Sequence, residues 1–521
     1  MPRYGVNLCQ IRTLLTFLFV ALSTVRWQCN AVAACNEPNA TVFLTNNTEY
    51  VFNSCTASPI LRPFDNNSNY ELGNITIIVQ GASMVPRLRI ANRITVRNLT
   101  ILFIDLMWSI VVNDTHRLQD STNTGDTVLL SLRECTVVGV SITVLRSTLV
   151  VTNSIAISPL NVVLFEIVNK NNNAANTSDV TLFVVNSTIA FHQVNGCCYT
   201  YNGNGSTLLN IYNDAASIDG VNVTMIGSNF SLRSPYQRYF GVIIINSGDK
   251  AKVSLIQHVT VSLVMSHIDA HMATCPDGCA ASVSMYGAAV CIQADLIFNA
   301  SIAVERAHIT VVPASDDGLD SAASGSQMWV GAVTFVAEKG SRAAMNTVSI
   351  SARNVTLHIT ATIGVAFVMI GEFNVTTGVM ITLQGTTASL AAHGVLTSDV
   401  KATMRSSSFI LSIANVTVSS LWSIDNVVVE STLAAGHPTA QSAAVSPNIG
   451  SLVGAAVILV GAMNDSSILV TNSLASLNLT HGYVNRTFTS PDLFALDMTS
   501  TMILFCPSTM HRANVANSTV I

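Results

Sequence analysis

The sequence predicts an all-β fold, a right-handed parallel β-helix built as a solenoid, and three observations predict it. Short segments alternate apolar and polar residues with period two, and such segments recur along the whole chain. β-Branched Val, Ile and Thr abound, whereas the charged residues that give helices a solvent face are only 10% of the 521 residues, against about 25% in ordinary domains. Hydrophobic residues make up 49% and the mean hydropathy is +0.47, yet Asn, Ser, Thr or Gly interrupt the apolar residues every few positions. Rungs stacked at ~4.8 Å would bury aliphatic ladders and leave Thr, Ser and Asn outside, giving high hydropathy without a membrane. Tandem β-sandwiches are the alternative, but the chain has four Trp and no regular Cys-Trp-Cys spacing.

The layout is plainest in residues 331 to 357. Gly331 to Val336 is an apolar strand, Glu338 to Ala343 a charged loop, and Val348-x-Ile350 and Val355-x-Leu357 follow seven apart. The same offset recurs in Ile94/Val96 with Ile101/Phe103, Leu182/Val184 with Ile189/Phe191, Val223/Met225 with Phe230/Leu232, Ile302/Val304 with Ile309/Val311, and Phe409/Leu411 with Val416/Val418. An odd offset puts the second pair on the opposite face of a continuous strand, so a corner or bulge is required between the pairs. Strands are expected to open at Leu208, Gly241, Ala289, Gly331, Gly364, Gly394 and Gly454. Leu149 to Ala156 and Ile468 to Ala475 are near-copies, with five identities and three apolar exchanges, and suggest one repeated unit.

At the N-terminus, Arg3 and Arg12 precede the apolar stretch Leu14 to Leu22, and Ala31-Val32-Ala33 offers a small-x-small cleavage pattern. Residues 1–33 are expected to be a secretory signal peptide, with Ser23 a second cleavage candidate. Residues 34–506 would form one elongated β-helical domain with irregular repeats, and 507–521 a short tail without an anchor signal. The uncharged run Ile449 to Met463 would reach ~22 Å as a helix, short of a ~30 Å hydrocarbon core, and reads as a buried strand with its turn.

Secretion gives meaning to the acceptor motif Asn-x-Ser/Thr, found at Asn39, Asn46, Asn66, Asn74, Asn98, Asn113, Asn176, Asn186, Asn204, Asn222, Asn229, Asn299, Asn354, Asn374, Asn415, Asn464, Asn478, Asn485 and Asn517. A chain rich in Asn, Ser and Thr also produces such triplets by composition; an occupied site must face solvent. Of eleven cysteines, Cys9 and Cys29 would leave with the signal peptide. In an oxidising compartment Cys35 with Cys55, and two of Cys275, Cys279 and Cys291, are the expected disulfide pairs.

Asn-Val-Thr-Leu (354 to 357), Asn-Val-Thr-Val (415 to 418) and Asn-Ser-Thr-Ile (186 to 189), set among Val-Gly-Ala and Ser-Leu strands, resemble the dispersed gene family surface proteins of kinetoplastid protozoa and related membrane-associated proteins. The resemblance covers residues 36 to 500 as repeat texture. It implies a pectin-lyase-like β-helix that is glycosylated, sits at a cell surface and binds host or matrix molecules. Family members are several times longer and end in membrane helices, so membrane association here is expected to be peripheral or indirect.

Twenty-four Lys plus Arg against 29 Asp plus Glu leave a net charge of -5 and no basic surface for a nucleic acid. β-Helices also carry polysaccharide lyases and glycoside hydrolases, and Asp316-Asp317-Gly318 with His393-Gly394 faintly echo a galacturonan-hydrolase pattern. Its Asn-Thr-Asp and Arg-x-Lys elements are missing, and Asp316 and Asp317 read as a solvated turn. His267-x-Asp269-x-His271, followed by Cys275 and Cys279, offers alternate-residue ligands on a strand, but no further pair at a standard spacing completes a zinc site. No catalytic, cofactor-binding or metal-binding residue is assigned. The expectation is a secreted or cell-surface glycoprotein acting as a coat or adhesion solenoid for extracellular glycans or host and matrix proteins, with a polysaccharide-active enzyme as the alternative.

Overall fold

The computed structural model describes residues 30–32 and most of 41–520; the breaks of five or more residues are 33–40, 65–69, 113–125, 154–161, 170–174, 194–206, 235–240, 248–253, 273–283, 314–327, 395–404, 436–451, 481–497 and 507–512. The described strands form three sheets of 17, 13 and 11 strands, here called A, B and C, and each strand pairs in parallel with its counterpart one turn later in the chain. No helix occurs among the described residues, and so none long and apolar enough to cross a membrane. The protein is a parallel β-helix solenoid. Tandem sandwiches are excluded, because their sheets are antiparallel.

One rung shows the chain path. Asp126–Arg133 lies in sheet B, Thr136–Leu145 in sheet A and Thr148–Asn153 in sheet C, and Val162–Asn169 then starts the next rung in sheet B. Equivalent residues are 41, 40 and 41 apart over the rungs joining Leu106, Ser147, Ser187 and Ser228, and 46 apart from Ser420 to Ser466. Rungs are shorter near the N-terminus, 24 residues from Asn74 to Asn98, because sheet C begins only at Met107–Val112. Asn30–Val32 already pairs with Glu49–Val51, so cleavage at Ser23 would keep this strand and cleavage after Ala33 would remove it. At the other end Ala513–Ala516 and Thr519–Val520 pair onto sheets A and C, so the solenoid continues into residues expected to be a tail.

The interior is a set of side-chain ladders. In sheet A one inward position is Leu72, Val96, Val137, Thr177, Ile218, Ile256, Ile297, Met345, Thr376, Thr417 and Met463 in successive rungs, all buried. Inside this ladder the Thr376 hydroxyl donates to Thr417 Oγ1 at 3.0 Å, so both polar atoms are satisfied where no water reaches. Aromatic rings meet across the interior as well: Phe103 of sheet A stacks on Phe165 of sheet B with centroids 5.9 Å apart, and Phe191 tilts against Phe230 at 5.6 Å. Sheets A and C alternate buried and exposed residues, whereas sheet B strands such as Gly364–Ile370 are buried on both faces, which is why they read as unbroken apolar runs. Leu452–Val460 is one of them, with Val457, Ile458 and Leu459 buried, so residues 452–460 of the apolar run are a solenoid strand. Its turn needs Gly461, at φ 126°, because a Cβ there would fall onto the Ala414 carbonyl oxygen.

The corner from sheet A to sheet C spends two residues. The first has positive φ in every rung: Asp105, Arg146, Asn186, Gly227, Met265, Arg306, Asn354, Gly385, Asn426 and Asn472. The second is buried and is often Ser. Ser147 Oγ accepts from the Leu106 amide one rung below and donates to the Leu145 carbonyl, and Ser187 and Ser228 repeat this arrangement.

Several expectations shift against this frame. Four of the seven-apart pairings straddle the A-to-C corner, including Val348/Ile350 with Val355/Leu357. Val96, Ile101 and Phe103 instead lie within the single strand Thr95–Ile104, interrupted by Asn98 at φ 51°. In Val416–Val418 it is Thr417 that points inward. Gly394 ends a sheet C strand rather than opening a sheet B strand; that place belongs to Arg405–Ser412. The near-copies fall in different sheets, Thr148–Asn153 in C and Ser467–Thr471 in A, so they are not equivalent positions of the repeat.

Excising residues 187–227, the 41 residues from Ser187 up to Ser228, removes one rung and rejoins two equivalent corners. The shortened chain is expected to keep its β circular dichroism and a cooperative unfolding transition, as a nearest-neighbour array does; loss of all folding would overturn the rung assignment.

Candidate functional site

The most regular exposed surface is the outer face of sheet A. Thr76, Thr100, Ser141, Thr181, Asn222, Thr260, Ser301 and Ser349 stand in one column over eight rungs. A second column runs Thr224, Ser262, Ala303, Ser351, Thr382 and Ser423. Strand geometry dictates this: residues flanking an inward aliphatic point outward, and short hydroxyl side chains tolerate a like neighbour at ~4.8 Å. The result is a flat array of hydrogen-bonding groups with a fixed repeat.

Beside it runs a ridge where the sheet A path bends at a residue of positive φ in successive rungs: Asn74, Asn98, Gly139, Asp179, Gly220, His258, Asn299, Thr347, Gly378, Ser419 and Asp465. Side chains on the ridge link rung to rung. Asn98 Nδ2 donates to Asn74 Oδ1 and Asn74 Nδ2 to Asn47 Oδ1, both at 2.9 Å. Further along, His258 Nδ1 lies 2.7 Å from Asp219 Oδ1, and Asn299 Nδ2 lies 3.3 Å from His258 Nε2. At the A-to-C corner Arg146 grips Asp105 with two bonds of 2.7 and 2.8 Å, which holds the Asp105 carboxyl below its ordinary range. Thr471 and then Asn472 do the same for Asp425 by donating to it.

Asn46, Asn74, Asn98, Asn176, Asn186, Asn222, Asn229, Asn299, Asn354, Asn374 and Asn415 are exposed and Asn464 is half-buried. Asn478 lies on the sheet C strand Leu474–Thr480, while Asn39, Asn66, Asn113, Asn204, Asn485 and Asn517 lie outside the described residues. Five of these asparagines, Asn74, Asn98, Asn186, Asn299 and Asn354, occupy positive-φ positions, where Asn is favoured for a conformational reason of its own.

Among the cysteines, Cys135 and Cys291 are buried thiols, and burial pushes Cys135 up to about 12, which makes it unreactive. Cys291 is packed into the sheet B strand Ser284–Gln293, and the other two members of that expected set, Cys275 and Cys279, lie outside the described residues. Cys55 is disulfide-bonded, and its expected partner Cys35 also lies outside them. Asp316 and Asp317 are outside as well.

His267, Asp269 and His271 do face the same way, on the outside of sheet C, with His271 Nε2 3.1 Å from Asp269 Oδ1. Sequence reasoning missed that the next two rungs add His308 and His358, although the spacing from His267 to His308 is one rung length. Among the described residues no group of three or more His, Cys, Asp or Glu is arranged to hold a metal ion. Also missed was Arg133 Nη2 to Glu166 Oε2 at 3.0 Å across sheet B, with Glu166 only 2% exposed. Comparison with protein families, curated proteins and solved structures gives no match. The fold thus defines the class, a parallel β-helix solenoid with two polar outer faces.

Asn98→Ala is expected to cost about 1–2 kcal/mol, from the left-handed backbone and the lost ladder bond, and Asn98→Gly less, because it keeps the backbone conformation; denaturant midpoints check both. Burial, and next the field of His267, lowers the His308 pKa. The unfolded chain therefore takes up this proton first as pH falls, and stability is lost on acidification through the ordinary imidazole range. His308→Thr should lessen the drop in Tm between about pH 7.5 and about pH 5.5.

Proposed function

We propose that the protein is a secreted or surface-associated display solenoid, a coat or adhesion protein of the kind the kinetoplastid resemblance implies, that binds extended extracellular glycans or matrix proteins along sheet A without turning them over. The observation that supports this most is the uninterrupted Thr/Ser/Asn column from Thr76 to Ser349, a rigid row of donors and acceptors whose period a linear ligand can follow. A surface preordered by the sheet loses little entropy on binding, so many weak hydrogen bonds can sum to useful affinity. The exposed acceptor asparagines outside that column suit a glycosylated exterior, whereas a glycan on Asn222 would stand in the path of the ligand.

The test uses protein recovered from a eukaryotic secretory host, with glycan occupancy read site by site by mass spectrometry. It is then applied to immobilised glycans and matrix proteins, and the soluble products are analysed. Binding that falls at least about tenfold in a Thr181→Arg/Thr260→Arg/Ser301→Arg variant, about 1.4 kcal/mol, is expected, without release of shorter sugars. Undiminished binding by that variant would move the site off sheet A, and sustained depolymerisation would replace display with catalysis.

A further inference from the structure

Sheet C carries a second exposed face of different chemistry. Five of the chain's eleven histidines stand on it within five successive rungs. One outward column runs Asn229, His267, His308, Thr356; the next Ser231, Asp269, Thr310, His358; the third His192, Arg233, His271, Val312. All five histidines are at least partly exposed. The His267 and His308 rings stack face to face, with centroids 4.7 Å apart and planes within 9°. His308 Nε2 lies 3.0 Å from Thr310 Oγ1.

The charged and titratable groups facing this stack from the packed strands are His192, Arg233, Asp269, His271 and His358, and the nearest corner holds Arg306 paired with Glu305. Asp269 is the one carboxylate in the three columns, against one fixed cation and five imidazoles. Imidazole is the side chain that gains positive charge on mild acidification, so a face of five imidazoles becomes more cationic as pH falls, on a chain whose formal net charge is -5. Two imidazoliums stacked this closely repel each other, and an anion seated against both relieves the repulsion. Rungs at ~4.8 Å place successive cations in a row, which suits a polymer bearing regularly spaced carboxylates or sulfates better than a single small ion.

We infer that the outer face of sheet C is a binding site for acidic glycans that is loaded by acidification, separate from the hydroxyl array of sheet A.

The full chain is tested on immobilised sulfated and carboxylated polysaccharides, with neutral dextran as the control, at about pH 5.5 and about pH 7.5 and at two salt concentrations. The informative variant is His267→Asn/His308→Thr, because Asn229 and Thr356 already occupy that column in neighbouring rungs and the strand accepts both residues. The wild type should bind the acidic polymers at least about tenfold more tightly at the lower pH, with a steep salt dependence absent for dextran. The variant should lose most of that increment while keeping its Tm at about pH 7.5 and any pH-independent binding, and Asp269→Asn should strengthen acid-polymer binding at both pH values. Equal affinity at the two pH values, an undiminished increment in the double variant, or the same gain for dextran would each overturn the inference.

Discussion

The whole solenoid depends on one backbone constraint. In each rung from Asp105 onward the chain must pass from sheet A to sheet C in two residues and keep its apolar side inward, and a residue at positive φ makes that turn. Gly, Asn and Asp adopt it at little cost, but Arg146, Met265 and Arg306 stand there too, at about 1–2 kcal/mol each. At Arg146 the cross-rung grip on Asp105 offsets part of this, and the next residue, Ser147, accepts from the Leu106 amide and donates to the Leu145 carbonyl, which also accepts from the Asp105 amide. Once the corner is fixed, register follows, because a slip of one residue would turn each ladder outward.

That constraint explains what could be read in the sequence and what could not. Period two was legible because sheets A and C alternate, and the apolar runs were legible because sheet B strands beyond the first three, such as Thr207–Asn213 and Gly364–Ile370, are buried on both faces. The rung length was obscured by unequal loops: the connection between a sheet C strand and the next sheet B strand varies, whereas the path from A to C does not. The near-copy at 149 and 468 misled because Thr-Asn-Ser suits both a strand end in sheet C and the sheet A corner at Asn472. The acceptor triplets have the same double meaning. In Asn186-Ser187-Thr188 the corner wants Asn for its φ, Ser for the buried ladder and Thr for the outer strand face, which are the residues that spell a glycosylation motif.

The three sheets divide the work. Sheet B, buried on both faces beyond its first three strands, holds the rungs together and carries the Arg133 to Glu166 pair. Sheets A and C have their inner halves committed to the core and their outer halves free to vary from rung to rung. Histidine enters sheet C in consecutive rungs while Thr and Ser persist in sheet A, and neither choice disturbs the ladders behind them. Side chains that carry function can thus gather without a pocket, and spacing alone would not reveal them until the rung length is known.

The bonds between rungs run along the long axis of the solenoid, and each rung touches mainly its two neighbours. A pull applied at the two ends therefore loads those bonds as a zipper, and rungs peel off one at a time from an end. The 41 residues from Ser187 to Ser228 would release about 140 Å of extended chain and the 24 from Asn74 to Asn98 about 80 Å. Each step dissipates work, so the same ladder that stacks the exposed faces also grades the response of the molecule to a pull, in steps set by the length of each rung.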